Sequence, residues 1–294
     1  MSINKLTVGS IIAKTVPFFK ERALPNPRLE ADLLLAGILK LPRIKLYSEW
    51  DRPLEPAEIQ QYREVIVKRV QGWPLAYLTG KKSFLSWEFD VTPAVLIPRP
   101  ETEILVETVV DLFKGRPEIC GVDVGTGSGI IAITLAKLLP GSKWYAIDLS
   151  PEALVVAENN AIQLGVDQQI SFLNGDLLRP IMALGEPYDI IISNPPYVPS
   201  ATIETLQSEV RREPLLALDG GPDGLDIYRK LLPQAKEMLA EDGICAVEHG
   251  WDQRDLLVKL FEDSGFITQS IPDLAGLDRI IIGHKNLPRD EDWD

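Results

Sequence analysis

Cysteine and histidine are scarce in this 294-residue chain, with two of each. Cys120 and Cys245 stand far apart, each in an apolar run that reads as a strand, and His249 and His284 sit close to neither motif-like spacing nor to one another. Such a set suggests no metal centre and no disulfide framework; buried free thiols in a reducing cytoplasm are the expectation. No apolar run is long enough to span a membrane, and Lys5 and Lys14 flank only a short apolar stretch, so neither a spanning segment nor a signal peptide is expected. Basic residues are outnumbered too, and the net charge is −13. The deficit is uneven. Residues 1–80 carry twelve Lys and Arg against eight Asp and Glu, while the remainder carries eighteen against thirty-five. An acidic C-terminal part lacks the clustered cations that a nucleic-acid-tracking groove needs. The small basic excess of residues 1–80 fits a surface meeting an acidic protein or an RNA-rich particle, or plain solvated surface, which is the simpler reading.

Residues 1–80 read as short helices. Asn26-Pro27 has the form of an N-cap followed by proline at the first helical position, with Leu29, Leu33 and Leu34 at helical spacing beyond it. A second helix opens at Glu55-Pro56, carries Ile59, Tyr62, Ile66 and Val70 on one face, and stops at Gly72. No catalytic constellation appears in this part. Trp87, Phe89 and Val91 then alternate with Glu88 and Asp90, the pattern of a short hairpin over residues 81–101. The hairpin leads into the proline-stiffened segment Ile97–Glu103 and an apolar-faced helix from Ile104 to Phe113. From there strand-like runs (Ile119–Val124, Lys143–Asp148, Ile170–Asn174, Tyr188–Ser193, Gly243–His249, Arg279–His284) alternate with helix-like runs such as Ile130–Leu139, Pro151–Leu164 and Leu225–Leu239. That order predicts an α/β fold, a doubly wound and largely parallel sheet with helices on both faces. Asp290 to Asp294 are acidic and expected to fray.

Two features carry chemistry. Asp123-Val124-Gly125-Thr126-Gly127-Ser128-Gly129 ends the first of these strands and opens a helix, and Asp148 closes the next strand. Glycines there permit a tight turn and close backbone approach, and an acidic residue about 20 positions on can accept the two hydroxyls of a ribose. A dinucleotide and S-adenosylmethionine both fit this geometry. The glycines follow G-x-G-x-G rather than the G-x-G-x-x-G that seats a pyrophosphate, and no hydride-transfer partner follows, which favours the methyl donor. Gly125, Thr126, Gly127, Ser128, Gly129 and Asp148 are thus the cofactor candidates, joined by Asn194 at the exit of the fourth strand. Asp176 and Leu177, after the third strand, are added as adenine contacts, although that stretch also reads as a simple strand-exit turn.

The second feature is Asn194-Pro195-Pro196-Tyr197 at the exit of the fourth strand. Two prolines remove two N–H groups and hold Asn194 and Pro195 extended. What is left is a stiff group of acceptors followed by an aromatic ring, a receptor for a planar –NH2 group whose hydrogens go to oxygen. A proline-rich turn would look the same in isolation. Paired with a methyl-donor site, the arrangement predicts positioning rather than acid–base chemistry: the Asn194 oxygen and the Pro195 carbonyl hold the nitrogen, Pro196 stiffens the loop and Tyr197 covers the attached π-system. His249 and Glu248 read as structural groups at a strand end, and Arg99 and Glu101 are placed in a roof over the pocket.

With these residues the chain resembles the HemK family of protein-(glutamine-N5) methyltransferases. The likeness runs through Pro74-Leu75-Ala76-Tyr77 with Gly80, Val95 to Glu103, Asp123 to Gly129, Asn194 to Tyr197, Glu213-Pro214 with Ala217-Leu218, and Gly221 with Asp223-Gly224-Leu225. The resemblance implies a seven-stranded class I, Rossmann-like methyltransferase sheet (residues 102–294), in which a final hairpin adds one antiparallel strand. It also implies an N-terminal all-α bundle (residues 1–80) that docks the peptide chain release factor. The implied reaction is methylation of the glutamine of the release factors' Gly-Gly-Gln motif. Some members carry tryptophan where this chain has Leu177. Two other readings remain: a nucleic-acid methyltransferase acting on the adenine N6 amine, which the acidic composition opposes, and a non-catalytic adaptor, which the intact glycine turn, Asp148 and Asn194 oppose. Neither a membrane nor a direct nucleic-acid substrate is expected.

Overall fold

The computed structural model describes residues 6–286. Asp290 to Asp294, expected to fray, lie outside the described residues. The chain divides into two compact units, one running to Lys81 and including Gln207–Arg212, the other comprising Lys82–Leu206 and the chain from Glu213 onward.

The first unit is helical: α1 (Val8–Lys20), α2 (Pro27–Leu39), α3 (Lys45–Ser48), α4 (Pro56–Val70) and α5 (Leu75–Thr79). Its core joins Val8, Ile12 and Phe19 of α1 to Leu34 and Leu35 of α2, Leu46 of α3 and Tyr62 of α4. The α4 helix begins where expected, with the Glu58 carboxylate accepting the Glu55 N–H at 2.8 Å in a capping box. Asn26 does precede α2, with Pro27 in its first turn, but its side chain makes no capping hydrogen bond. The buried face of α2 is also turned from the one leucine spacing indicates. Leu29 is exposed, whereas Glu30 and Asp32 are buried beside Ala31, Leu34 and Leu35. Both carboxylates are inside because arginines meet them there. Asp32 takes hydrogen bonds from Arg28, Arg43 and the Tyr47 hydroxyl. Glu30 accepts two from Arg69, at 2.6 and 3.1 Å.

Arg69 is itself only 2% exposed. Besides Glu30 it holds Glu209 at 2.7 Å and the Trp73 carbonyl at 3.1 Å, so one guanidinium joins α2, α4 and the Gln207–Arg212 segment of this unit. The same segment places Arg212 over the Trp73 ring and on the Gln71 carbonyl. Burial of these charges is tolerated because planar, bidentate pairing replaces their hydration.

The second unit opens with the hairpin β1 (Lys81–Phe84) and β2 (Trp87–Asp90) and the helix α6 (Pro100–Phe113). It continues through β3 (Cys120–Val124), α7 (Ile130–Leu138), β4 (Lys143–Asp148), α8 (Pro151–Leu164), β5 (Ile170–Asn174), β6 (Tyr188–Ser193), α9 (Asp226–Met238), β7 (Leu239–Glu248), α10 (Arg254–Asp263), β8 (Ile267–Pro272) and β9 (Asp278–His284). Among the described residues the sheet has seven strands in the order β5-β4-β3-β6-β7-β9-β8. Strands β3 to β7 pair in parallel, and β9 runs antiparallel to both neighbours. Alternation along the strands feeds two cores. Ile190, Ile192, Ala246 and Ile282 join α6, α7 and α8 on one face. Ile191, Cys245, Val247 and Ile281 join Tyr228 and Leu231 of α9 and Phe261 of α10 on the other. Cys245 is buried as expected, whereas Cys120, at the start of β3, is only half-buried. No helix among the described residues is long and apolar enough to cross a membrane.

Two local differences bear on the site. The helix α6 starts at Pro100, four residues before the apolar run, so Glu101, Thr102 and Glu103 form its first turn. The strand β7 ends at Glu248 and excludes His249.

Arg69→Met should leave Glu30 buried without a counter-charge and cost about 3–5 kcal/mol of local stability. Hydrogen exchange of α2 and α4 amides should accelerate accordingly, with β3 and β6 amides unchanged; equal protection in both proteins would show that Glu30 is satisfied by other means.

Candidate active site

Strand order reverses at β3, whose two neighbours β4 and β6 lead the chain in opposite directions across the sheet. Ligands of open α/β sheets bind outside the carboxyl ends of strands at such a point. A cavity of about 530 Å³ lies there. Its wall combines Val124, Gly125, Thr126, Gly127 and Ser128 after β3, Asp148 at the end of β4, Gly175, Asp176 and Leu177 after β5, and Ser193, Asn194, Pro195 and Pro196 at the end of β6. Most of the residues marked by sequence thus meet on one surface. Two do not. Gly129 and Tyr197 are absent from the cavity wall, and so are Arg99 and Glu101, which sequence places in a roof.

The glycine turn is held from three sides. Asp123, fully buried, accepts the Thr126 hydroxyl at 2.7 Å and the Ala132 N–H at 3.1 Å, clamping the turn to the start of α7. Asp148 accepts the Gly127 N–H at 2.8 Å and the Ser150 N–H at 2.9 Å. Asn160 of α8, also buried, donates to the Ser128 carbonyl at 2.9 Å and exchanges hydrogen bonds with the backbone of Asp90. Gly125 and Gly127 both have positive φ, +74° and +55°, and a side chain on either would project into open space. These two therefore leave room for a ligand. Gly129, with φ +80°, does something else: a Cβ there would lie 2.6 Å from Ile133 and 3.1 Å from Ala157, so its bareness serves the packing of α7 against α8.

Asn194 sits half-buried just past β6. Its Nδ2 donates to the Thr102 hydroxyl at 3.0 Å, and that hydroxyl donates to Glu248 Oε2 at 2.6 Å. Asn194 Oδ1 is shielded from solvent and has no hydrogen-bond partner among the described residues. The loop beyond is buttressed from behind. The Tyr197 carbonyl accepts from Gln253 at 3.0 Å, and Val198 exchanges backbone hydrogen bonds with Leu218 and Gly220. Tyr197 packs its ring against the α9–α10 core, which makes it an anchor of the loop. A Cβ at Gly220 would meet the Pro196 carbonyl at 2.7 Å, and one at Gly224 would overlap the Tyr197 carbonyl. Arg99 is engaged elsewhere too: it donates to buried Glu213 at 2.6 Å, and Glu213 also accepts the Ile97 N–H, fixing the segment that carries Pro98 and Thr102 to the wall.

Charge on the wall is of one sign. Asp148, Glu152, Asp176 and Asp219 line the cavity, and among the described residues no lysine, arginine or histidine lines it. A pyrophosphate or a nucleic-acid backbone would find no counter-ion there, whereas a cationic ligand would. Asp148 is held above the usual carboxylate range chiefly by burial, against the pull of the Ser150 and Gly127 donors. His249 lies off the cavity. Its Nδ1 meets the Gly250 carbonyl, which can only accept, so Nδ1 carries the proton, and burial pushes its pKa down. A buried neutral imidazole of this kind fits the structural reading. Residues that sequence reasoning passed over include Asn160, whose role needs α8 and the hairpin brought together, and Thr102, whose role needs α6 to start at Pro100.

Asp123 and Glu248 are both pushed up to about 7, in each case chiefly by burial. Their donors, Thr126 with Ala132 and Thr102 respectively, pull the other way. Unfolded carboxyls titrate near ~4. Across that interval the folded protein keeps protons the unfolded chain has lost, so this stabilisation is complete below ~pH 4 and is lost as pH rises through ~7. Asp123→Asn is neutral throughout and lacks that loss. Its melting temperature relative to wild type should therefore rise between pH 5 and 8 by several degrees; parallel melting profiles would mean that Asp123 is ionised over the whole range.

A family model described as the PrmC N-terminal domain matches residues 10–80, and one described as a methyltransferase domain matches residues 119–280. A release factor glutamine methyltransferase of Moorella thermoacetica is 42% identical over 282 residues, covering 95% of this chain and 99% of that protein. Another, of Geobacter sulfurreducens, is 39% identical over 281 residues, covering 94% and 96%. Among solved structures, a methyltransferase from Pyrococcus furiosus shares the fold with a TM-score of 0.52 at 19% identity, over 76% of this chain and 98% of that one. On identity of this level along nearly its whole length, the chain belongs to the release factor glutamine methyltransferase family.

Proposed function

We propose that this protein methylates the side-chain amide nitrogen of the glutamine in the Gly-Gly-Gln motif of peptide chain release factors, with S-adenosylmethionine as donor. The substrate is a translation protein, which places the activity in the cytoplasm, and the helical unit of residues up to Lys81 serves to dock it. The observation that carries the reading is Asn194: an acceptor oxygen without a partner, on a residue that shares one cavity with the glycine turn and Asp148.

When bound, S-adenosylmethionine supplies a methyl carbon already made electrophilic by positively charged sulfur. The residues present suit that ligand. Gly125 and Gly127 leave space on the wall, and the four carboxylates of the lining favour a cation. Each Asp148 oxygen accepts one backbone N–H and keeps a lone pair for a ribose hydroxyl. Leu177, buried but on the wall, offers an apolar face to the adenine, with Asp176 beside it.

An amide nitrogen is a poor nucleophile, and the chain's own part is to place it. The Asn194 oxygen and the Pro195 carbonyl accept the two hydrogens of the –NH2 group and hold the nitrogen toward the methyl carbon. Orientation of this kind supplies up to ~7–11 kcal/mol in well-placed cases. As the nitrogen gains positive character the same oxygens stabilise it, and a dry site strengthens that attraction. An unpartnered buried acceptor costs about 1–3 kcal/mol, which a bound amide relieves. Leu215 and Leu216, exposed on the cavity rim, give a peptide loop an apolar seat.

Asn194→Ala should lower kcat at least a hundredfold while leaving S-adenosylmethionine affinity within about threefold, roughly the size of losing one oxyanion-type contact. Labelled methyl donor, a purified release factor and mass spectrometry read both the rate and the site. Near-wild-type methylation by the variant, or methyl transfer to a release factor lacking the Gly-Gly-Gln glutamine, would overturn the reading. Asp148→Ala should instead weaken donor binding at least tenfold by calorimetry, as expected for lost hydrogen bonds to a charged acceptor. An unchanged affinity would remove Asp148 from the donor site.

A further inference from the structure

An amide side chain has an accepting end and a donating end of nearly the same shape. Which end of Asn194 faces Thr102 decides whether its oxygen is left for a substrate. The role of Asn194 in holding the substrate amide, proposed above, is taken here as given.

Three elements meet at this point. The strands β6 and β7 are parallel neighbours with Ser193 opposite Val247, so one residue later Asn194 stands just past β6 beside Glu248, the last residue of β7. Thr102 enters from the first turn of α6. Glu248 and Thr102 are 1% and 2% exposed. An ionised carboxylate only accepts, so the single hydroxyl proton of Thr102 goes to Glu248 over 2.6 Å. The Thr102 oxygen is then left with lone pairs, and it takes a hydrogen from Asn194 Nδ2 at 3.0 Å. A reversed amide would set oxygen against oxygen. We infer that Glu248 and Thr102 are positioning residues whose directed hydrogen bonds fix the amide of Asn194 with its nitrogen inward and its oxygen free for the substrate.

The relay has a direction only while Glu248 accepts. Once protonated, Glu248 can donate to Thr102, and the hydroxyl proton is released to meet the Asn194 oxygen of a reversed amide. Glu248 is surrounded by Glu101, which raises its proton affinity, and by Arg279 and Arg99, which lower it less than burial raises it. The Tyr228 hydroxyl donates to its backbone carbonyl, Tyr197 lies near, and His249 beside it is held neutral by burial. Turnover should therefore fall on the acid side of about pH 7.

The test uses the full-length protein, S-adenosylmethionine and a purified release factor. Thr102→Val, which removes both hydrogen bonds, should lower kcat roughly ten- to a hundredfold with donor affinity unchanged, as small misplacements do. Thr102→Ser, which keeps the hydroxyl, should recover most of that loss. Glu248→Gln, isosteric and uncharged, should lower kcat at pH 8 and abolish the acid limb seen in the wild type. If Thr102→Val does not fold, the Glu248→Gln pH profile alone decides. Wild-type turnover by Thr102→Val, or an acid limb retained in Glu248→Gln, would overturn the relay while an inactive Asn194→Ala left the site's reading intact. An active Asn194→Ala would instead take down that reading itself.

Discussion

The hydrogen bond from Asn194 to Thr102 is the contact on which the proposed catalytic arrangement turns. It is one of several in which a polar side chain beside the carboxyl ends of the strands dictates the orientation of a neighbour. Asp123 holds Thr126 and Ala132, Asp148 holds Gly127 and Ser150, and Asn160 holds Ser128. Each bond takes a group that water would otherwise satisfy in many geometries and leaves it one. In a dry interior such bonds are strong, and the penalty for breaking one is the cost of stranding its partner. The carboxyl ends of β3, β4 and β6 thus carry a set of directed contacts rather than a set of flexible loops. Transfer of a methyl group to a weak nucleophile requires that much order.

Charge is arranged to the same end. The cavity wall carries carboxylates and no cation, which suits a sulfonium and repels phosphate. The helical unit uses charge differently. Arg69 is spent on Glu30 and Glu209, and Asp32 is met by two arginines, so its buried charges are structural. The net value of −13 is the sum of these separate arrangements and describes neither.

Hydropathy and glycine spacing made the alternation of strands and helices, the glycine turn, Asp148 and the Asn194 loop legible, because strand-to-helix alternation and strand-exit motifs are local signals. Thr102 was hidden because α6 gains its first turn from Pro100 to Glu103, where proline reads as a break although it is well tolerated at a helix start. Glu248 read as a structural end group because its neighbours Thr102 and Asn194 are remote in the chain. The seventh strand, β8, is an edge strand with Thr268, Gln269 and Ser270 at its centre, too polar to stand out. The α2 face was misjudged because leucine spacing cannot reveal that arginines meet the buried carboxylates of Glu30 and Asp32. Gly129 and Tyr197 shared motifs with cavity-lining residues, yet one packs between helices and the other packs against the core behind its loop.

Position along a motif and position around a cavity are therefore different things, and the Asn194 loop shows why both are needed. Pro195 and Pro196 lack N–H groups, so neither can be held by donating from its own backbone. It is held by accepting, through the Tyr197 carbonyl from Gln253, and by close backbone contact with Gly220 and Gly224, which only glycine permits. Val198 then locks the next turn through Leu218 and Gly220. Support from behind leaves the cavity side of the loop unencumbered, and it fixes the backbone from which Asn194 reaches Thr102. Shifting that backbone by a fraction of an ångström would lengthen a 3.0 Å hydrogen bond that sets which end of the amide faces inward. The distant Asp223-Gly224-Leu225 turn thus belongs to the active site by mechanics, although it contributes no atom to the wall.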